Sequence, residues 1–252
     1  PEPVLFRGAM LGLPICEDIW HPDVCRHLAD FGAGMFLCIN GSPYEIEKDV
    51  LRMEGVAKRR AADTGLPLAY LNRVGGQDEL VFDGGSFALD SKGEIRCQLP
   101  KFDEALALVD IAAGEPLPGD VAAECAVEEE VYRALVLGVR DYLGKNGFPG
   151  AIIGLSGGID SALTLCIAVD ALGADKVRAV MMPSPYTAQI SLDDARDMAG
   201  RLGVRYDEIP IEPAMNTFAA LLENEFAGLP ADTTEENLQA RIRGMLLMAL
   251  SN

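Results

Sequence analysis

Apolar and polar positions along this chain alternate in blocks that read as strands and helices in succession. Residues 8–15 form a short apolar run of strand length, 23–31 have helical spacing, and 34–40 read as a buried strand. Helical spacing returns over 45–63, placing Val50, Met53, Val56 and Ala57 on one face. Residues 67–72 and 82–90 are strand-like, and Lys92-Gly93 turns the chain into a strand over 94–99. Such alternation predicts an α/β layer domain. Later in the chain, 127–145 reads as a helix with Glu128, Glu129 and Glu130 in its first turn, where acids complement the helix dipole. Asn146-Gly147 ends it. A strand over 151–155, a helix over 161–172, a strand over 177–182, a helix to Leu202 and a strand over 204–209 follow. Ser191 with Asp194 forms a capping arrangement for the second of those helices, and Thr233 or Thr234 caps a last helix over 235–250. This βαβαβ order predicts a doubly wound parallel sheet with ligands at the carboxyl ends of its strands.

Charge divides the chain. Between Phe102 and Tyr132 there are nine acids and no base, half of the net charge of −18. Within that stretch, Ala112 to Asp120 is rich in Pro and Gly and reads as a linker, so the boundary falls near Pro118, with domains over 1–118 and 119–252. A length of 252 residues with 49% hydrophobic content suits two small domains with real cores. The acidic balance argues against a nucleic-acid partner and against an anionic membrane surface. No apolar run reaches a membrane span; the longest, Met245 to Leu250, has six residues. The chain begins at Pro1 without a starting Met or a signal peptide, which leads to the expectation of a fragment. The six cysteines form no Cys-x-x-Cys pair, and His21 and His27 lie far from metal-ligand spacing, so no zinc site is expected. Dispersed thiols of this kind point to a reducing, cytoplasmic setting.

The strongest chemical motif is Gly154, Leu155, Ser156, Gly157, Gly158, Ile159, Asp160, Ser161, set between an apolar strand and a helix. The glycines let backbone N–H groups approach an anion, and the serines add hydroxyls. Asp160 beside phosphates makes sense with Mg²⁺ bridging them. The plain alternative is a Gly-rich turn with a Ser cap. The spacing is neither Gly-x-Gly-x-x-Gly nor Gly-x-x-x-x-Gly-Lys-[Ser/Thr], which excludes a dinucleotide fingerprint and a Walker-type loop.

This motif resembles the pyrophosphate loop of the N-type ATP pyrophosphatases. The resemblance implies cleavage of ATP between the α and β phosphates, adenylation of an oxygen, and an adenine nucleotide hydrolase-like fold. Met181-Met182-Pro183-Ser184 resembles the NAD synthetase stretch beside adenine, which implies an ATP contact at Met182. Glu236-Asn-Leu-Gln-Ala-Arg-Ile-Arg243 resembles the Glu-Asn-x-Gln-Ala-Arg signature of the same family. By that resemblance Asn237 and Arg241 contact deamido-NAD, in keeping with an Asn reading a polar edge and an Arg pairing with phosphate or carboxylate. The alternative is a solvated helix face.

In the first half, Leu13-Pro-Ile-Cys-Glu-Asp-Ile-Trp20 runs from an apolar strand into Cys16. On its own such a cysteine reads as a small buried hydrophobe. The octet, with Asn40-Gly-Ser-Pro43 and the stretch from Asn72 to Ser86, is similar to the glutaminase domain of the glutamine-dependent NAD synthetases, a nitrilase-like α-β-β-α sandwich. The resemblance implies Cys16 as the nucleophile on the glutamine amide, with Ser42 and Lys48 binding glutamine; a surface helix charge is the alternative for Lys48. The family's catalytic Glu and Lys both precede the Cys. Only fifteen residues precede Cys16 here, with no Lys and Glu2 the one Glu. A family segment Thr-Gly-Asn-Lys-Ser-Glu that follows the last helix is also outside this sequence. A partial glutaminase domain followed by a partial synthetase domain is therefore expected. The implied reaction amidates deamido-NAD with ammonia from glutamine, using Mg-ATP and releasing AMP and pyrophosphate. Small-molecule substrates and a homo-oligomer are the implied partners. Two alternatives stay open: another amide ligase of the same pyrophosphatase group, or a nucleotide-binding or assembly module without turnover.

Overall fold

In the computed structural model, which describes residues 2–227 and 233–252, only part of the first apolar run is strand. β1 (Val4–Phe6) and β2 (Ala9–Gly12) pair antiparallel across Arg7 and Gly8, both in the left-handed region. The strand expected over 8–15 thus stops at Gly12. Pro14 has no N–H for a ladder, and only Ile15 bridges back, to Ile39. A 3₁₀ turn, Cys16–Ile19, leads to α1 (Pro22–Asp30), which carries Pro in its first turn, and then to β3 (Met35–Asn40).

The helix expected over 45–63 is made of α2 (Lys48–Val50), a π-helical stretch Leu51–Ala57 and α3 (Lys58–Thr64), closed by left-handed Gly65. The wider π turns rotate its faces. Val56 and Ala57 are buried, Met53 is half-buried and Val50 is exposed, so the four do not share one face. β4 (Leu68–Asn72), β5 (Val74–Gln77), β6 (Leu80–Asp83), β7 (Phe87–Leu89) and β8 (Ile95–Gln98) follow. The strand expected over 82–90 is broken at Gly84 and Gly85, both left-handed; a Cβ on Gly84 would lie 2.4 Å from Val74 Cγ2.

Six strands form one sheet in the order β1-β2-β3-β4-β7-β8, with β2, β3 and β4 parallel; β5 and β6 make a separate hairpin. Phe36, Cys38, Leu68, Tyr70, Phe87 and Leu89 pack with Cys25 and Leu28 of α1 and with Val56 and Ala57 into one core, Tyr70 stacking on Phe87 at 5.0 Å. On the opposite face Ile15, Ile39 and Leu71 are exposed. One helical layer on one sheet is half of the expected sandwich, which agrees with a partial nitrilase-like fold.

The Pro/Gly stretch folds back on this sheet. β9 (Ile111–Ala112) and β10 (Glu115–Pro116) form a small hairpin. Gln98 N–H then donates to Asp120 O (2.9 Å), and Ala122 N–H to Gln98 O (3.0 Å). α4 (Val127–Asn146) packs Ala134 and Leu137 against Phe102. These contacts carry the first compact unit through Tyr142, and the second runs from Leu143 to Asn252.

The second unit contains β11 (Ala151–Gly154), α5 (Ile159–Leu172), β12 (Val177–Met181), α6 (Gln189–Leu202), β13 (Arg205–Glu208), α7 (Glu212–Phe226) and α8 (Thr233–Ser251). The strands are parallel in the order β11-β12-β13. Leu165 and Ala168 of α5 and Ala195 and Ala199 of α6 cover one face; Met215 and Phe218 of α7 and Ile242 and Leu246 of α8 cover the other. This is a doubly wound layering. The pattern reading contains no helix at α7, although Pro213 marks its first turn. α6 begins at Gln189 with Ala188 as its cap, so Ser191 lies inside the first turn and caps nothing. α8 already includes Thr233, and the position before it lies outside the described residues. All six cysteines are free. No described helix is long and apolar enough to cross a membrane.

Candidate functional site

Cys16 sits where the extended chain turns sharply into the 3₁₀ helix. Its φ of 49° is left-handed, a conformation costing a non-Gly residue about 1–3 kcal/mol and concentrated at functional sites. Asp18 holds the turn, its carboxylate accepting from Ile15 N–H at 2.9 Å while its own N–H donates to Ile15 O at 3.0 Å. Cys16 is half-buried. The bridge Ile15↔Ile39 and the register Asn40↔Asn72 align it with the carboxyl ends of β3 and β4. A strained strand-to-helix turn presenting a sulfur is the geometry of a nucleophile elbow. Burial pushes the thiols of Cys25 and Cys38 up to about 11 and about 12, which keeps them protonated and inert.

The loop after β3 carries Ser42, which is buried. Arg52 Nε donates to Ser42 Oγ (3.0 Å), Nη2 to Ser42 O (3.0 Å) and Pro43 O (2.7 Å), and Nη1 to both oxygens of Asp83 (2.8 Å each). Asn72 Oδ1 accepts from Ser42 N–H (3.0 Å), and its Nδ2 donates to Ser42 O (3.3 Å) and Gly84 O (3.2 Å). Lys48, further along, pairs with Glu45. Sequence reasoning gave no role to Arg52, Asp83 or Asn72. The signal was there: an Arg within a partly apolar helical pattern and an Asp after Leu-Val-Phe are charges bound for the interior, where they must pair.

In the second unit the loop Gly154–Ser161 leaves the carboxyl end of β11. Leu155 N–H donates to Val180 O (3.0 Å) and roots it on β12. Its hydroxyls close it: Ser156 N–H donates to Ser161 Oγ (3.1 Å), Ser156 and Ser161 Oγ lie 3.0 Å apart, Gly158 N–H donates to Ser156 Oγ (3.3 Å) and Ser161 Oγ to Gly158 O (2.9 Å). Gly157 has φ 81°, and a Cβ there would stand 2.3 Å from Ser191 O and 2.7 Å from Ser191 Cα. Only glycine fits, so the backbone presses against the first turn of α6. Ile159 and Asp160 are exposed in the first turn of α5, whose N-terminus favours an anion. Among the described residues no group of three or more His, Cys, Asp or Glu could hold a metal. A lone carboxylate completed by substrate phosphates is nevertheless how Mg²⁺ is commonly held, so Asp160 fits that ion.

Beside the loop lies a cleft lined by Gly154, Leu155, Ser156, Met182, Thr187 and Arg243, among others. Met182 is buried just after β12, and Arg243 Nε donates to its carbonyl oxygen at 3.0 Å. Asn237 and Arg241 are exposed on α8 and do not line this cleft; Arg241 Nη1 donates to Asn237 O at 3.1 Å. Arg243 is the guanidinium that the fold brings to the loop. Its spacing of four from Leu247, on the buried side of α8, is the signal that could have singled it out.

Comparison with known proteins matches both halves. A family described as carbon-nitrogen hydrolase matches residues 2–115, and one described as NAD synthase matches 131–252. A glutamine-dependent NAD(+) synthetase of Rhodobacter capsulatus is 50% identical over 255 residues, covering 100% of this chain and 46% of the relative. One of Acinetobacter baylyi is 47% identical, covering 98% of this chain and 46% of the relative. The structure of the enzyme from Acinetobacter baumannii in complex with adenosine diphosphate aligns with a TM-score of 0.94 at 45% identity, over 99% of this chain and 48% of that one. The chain spans about half the length of the curated relatives it matches. A carbon-nitrogen hydrolase segment thus runs into an NAD synthase segment, and in that order and fold the chain is similar to the glutamine-dependent NAD(+) synthetases.

Proposed function

We propose that this chain contributes to the ATP-dependent amidation of deamido-NAD to NAD, with ammonia supplied by glutamine hydrolysis and with AMP and pyrophosphate released. The observation that carries this reading is the closed, hydroxyl-braced loop at the end of β11, in which Gly157 brings bare backbone against Ser191. The residues Gly154 to Ser161 hold the β and γ phosphates of ATP, the loop amides and the α5 N-terminus drawing the departing pyrophosphate. Met182 and its flanking backbone border the adenine. Arg243, by holding the Met182 carbonyl, keeps that border in place. Asp160 is the carboxylate that would hold Mg²⁺, which when bound offsets the charge of the phosphates. Asn237 and Arg241, exposed on α8, read the deamido-NAD substrate. In the first unit Cys16 attacks the glutamine amide, and Ser42 and Lys48 orient the amino acid. The functional boundary is placed near Pro118, with the glutaminase part over 1–118 and the synthetase part over 119–252. Cytoplasmic location, assembly as a homo-oligomer and the lack of a nucleic-acid or membrane partner belong to the same proposal; the dispersed thiols and acidic composition support it.

Calorimetric titration with Mg-ATP tests the loop. Asp160→Ala is expected to weaken binding at least tenfold, about 1.4 kcal/mol. Unchanged affinity would remove Asp160 from the metal role, and a wild-type chain that binds no Mg-ATP would overturn the loop assignment.

A further inference from the structure

We propose that Arg52, locked by Asp83, is the positioning residue of the glutamine site: it fixes the loop that carries Ser42 and, by donating to Ser42 Oγ, orients the Ser42 hydroxyl. The inference rests on the reading of Ser42 as a glutamine contact.

A guanidinium has five N–H donors. In Arg52 all are committed within the protein: one to Ser42 Oγ, two to the Asp83 carboxylate, and two to the carbonyls of Ser42 and Pro43. Nothing remains for a substrate, so Arg52 acts through the loop and not on the ligand. The contacts gather three separate pieces of chain. Arg52 comes from the π-helical stretch, Asp83 from the end of β6, and Asn72 from the end of β4, where it fastens the same Ser42 carbonyl. They converge on the loop leaving β3, along the strand ends where Cys16 also sits.

Energetics point the same way. The Arg52 and Asp83 side chains are 3% and 2% exposed. Burying such a pair is often no better for stability than an apolar pair of the same volume, because desolvation offsets the attraction. What the pair supplies is direction, through planar, two-pronged bonding that lysine cannot reproduce. The consequence for chemistry is specific. Ser42 Oγ accepts from Arg52 Nε, which occupies one of its two lone pairs and leaves it the second lone pair and its proton. With that proton it can donate to an acceptor, a carboxylate or amide carbonyl oxygen, and glutamine has both.

The test follows Cys16 alkylation by iodoacetamide, read on the Cys16 peptide by mass spectrometry, with L-glutamine as protectant. Cys25, Cys38 and Cys97 are buried, and peptide-level detection separates Cys16 from Cys125 and Cys166. Arg52→Lys and Asp83→Asn are expected to raise the half-protecting glutamine concentration at least tenfold while the unprotected alkylation rate stays within twofold. A purely structural role would lower the Tm and leave the half-protecting concentration where it was; that result overturns the inference and leaves the glutamine reading standing. A wild-type protein that glutamine does not protect overturns the glutamine reading and this inference with it. Where Asp83→Asn fails to fold, Arg52→Lys, which keeps the buried charges balanced, decides.

Discussion

Around Ser42 the first unit buries an ion pair, Arg52–Asp83, and spends every donor of the arginine on protein atoms, whereas the second unit leaves Ser156, Asp160 and Ile159 open to solvent and braces its loop with hydroxyls and backbone alone. The difference fits what each site is proposed to hold. A small zwitterion must be read by side chains at set angles, and set angles need a rigid, desolvated support. A triphosphate carries its charge with it, and a helix start plus bare amides already match it without buried charges. The first unit therefore stakes stability on its site and the second stakes only glycine.

The largest effect should come from breaking the buried pair. Asp83→Ala leaves the Arg52 charge uncompensated and is expected to destabilise the first unit by about 3–5 kcal/mol, measured as a lowered urea midpoint. A loss below about 1 kcal/mol would mean that the two units do not differ in this way. Next is Gly157→Ala, which forces a Cβ to within 2.3 Å of Ser191 O. Mg-ATP affinity should fall at least tenfold, about 1.4 kcal/mol, with little change in the urea midpoint of the first unit. Smaller still, Arg243→Ala should weaken Mg-ATP several-fold by releasing the Met182 carbonyl, whereas Arg241→Ala should leave it within twofold in the same titration. Equal losses would erase the distinction between the two faces of α8.

The smallest effect is on pH. Burial raises the Asp90 pKa, but the N–H groups of Glu94 and Lys92 and the Arg96 guanidinium outweigh it and hold the carboxyl below the usual range. A carboxyl depressed in the folded state stabilises above its unfolded value and loses that contribution as pH falls through the folded one. The urea midpoint of the first unit should thus be flat near neutrality and decline below about pH 4. Asp90→Asn should flatten that acid limb; an unchanged limb would assign the decline to other carboxylates.

Much of this was legible in the chain. The α/β alternation, the parallel order of the second unit and the 154–161 loop all follow from apolar runs and glycines that act over a few residues. In the Pro/Gly stretch composition records turns but not that Gln98 would pair with Asp120 and Ala122. Val50 left its expected face because a π turn depends on what the helix packs against.

What the sequence by itself determined is the inventory: a cysteine after Pro14-Ile15, a Ser-Gly-Gly-Ile-Asp-Ser loop after an apolar strand, and an acidic stretch between Phe102 and Tyr132. These are local, and local sterics and hydrogen bonding are written in neighbouring residues. Which guanidinium meets which partner was decided only by the tertiary structure. Arg52 finds Asp83 thirty-one residues away, and Arg243 finds the Met182 carbonyl sixty-one residues away. Long-range pairing of that kind depends on strand order and register, which set where each strand end stops and so which charges share a dry interior.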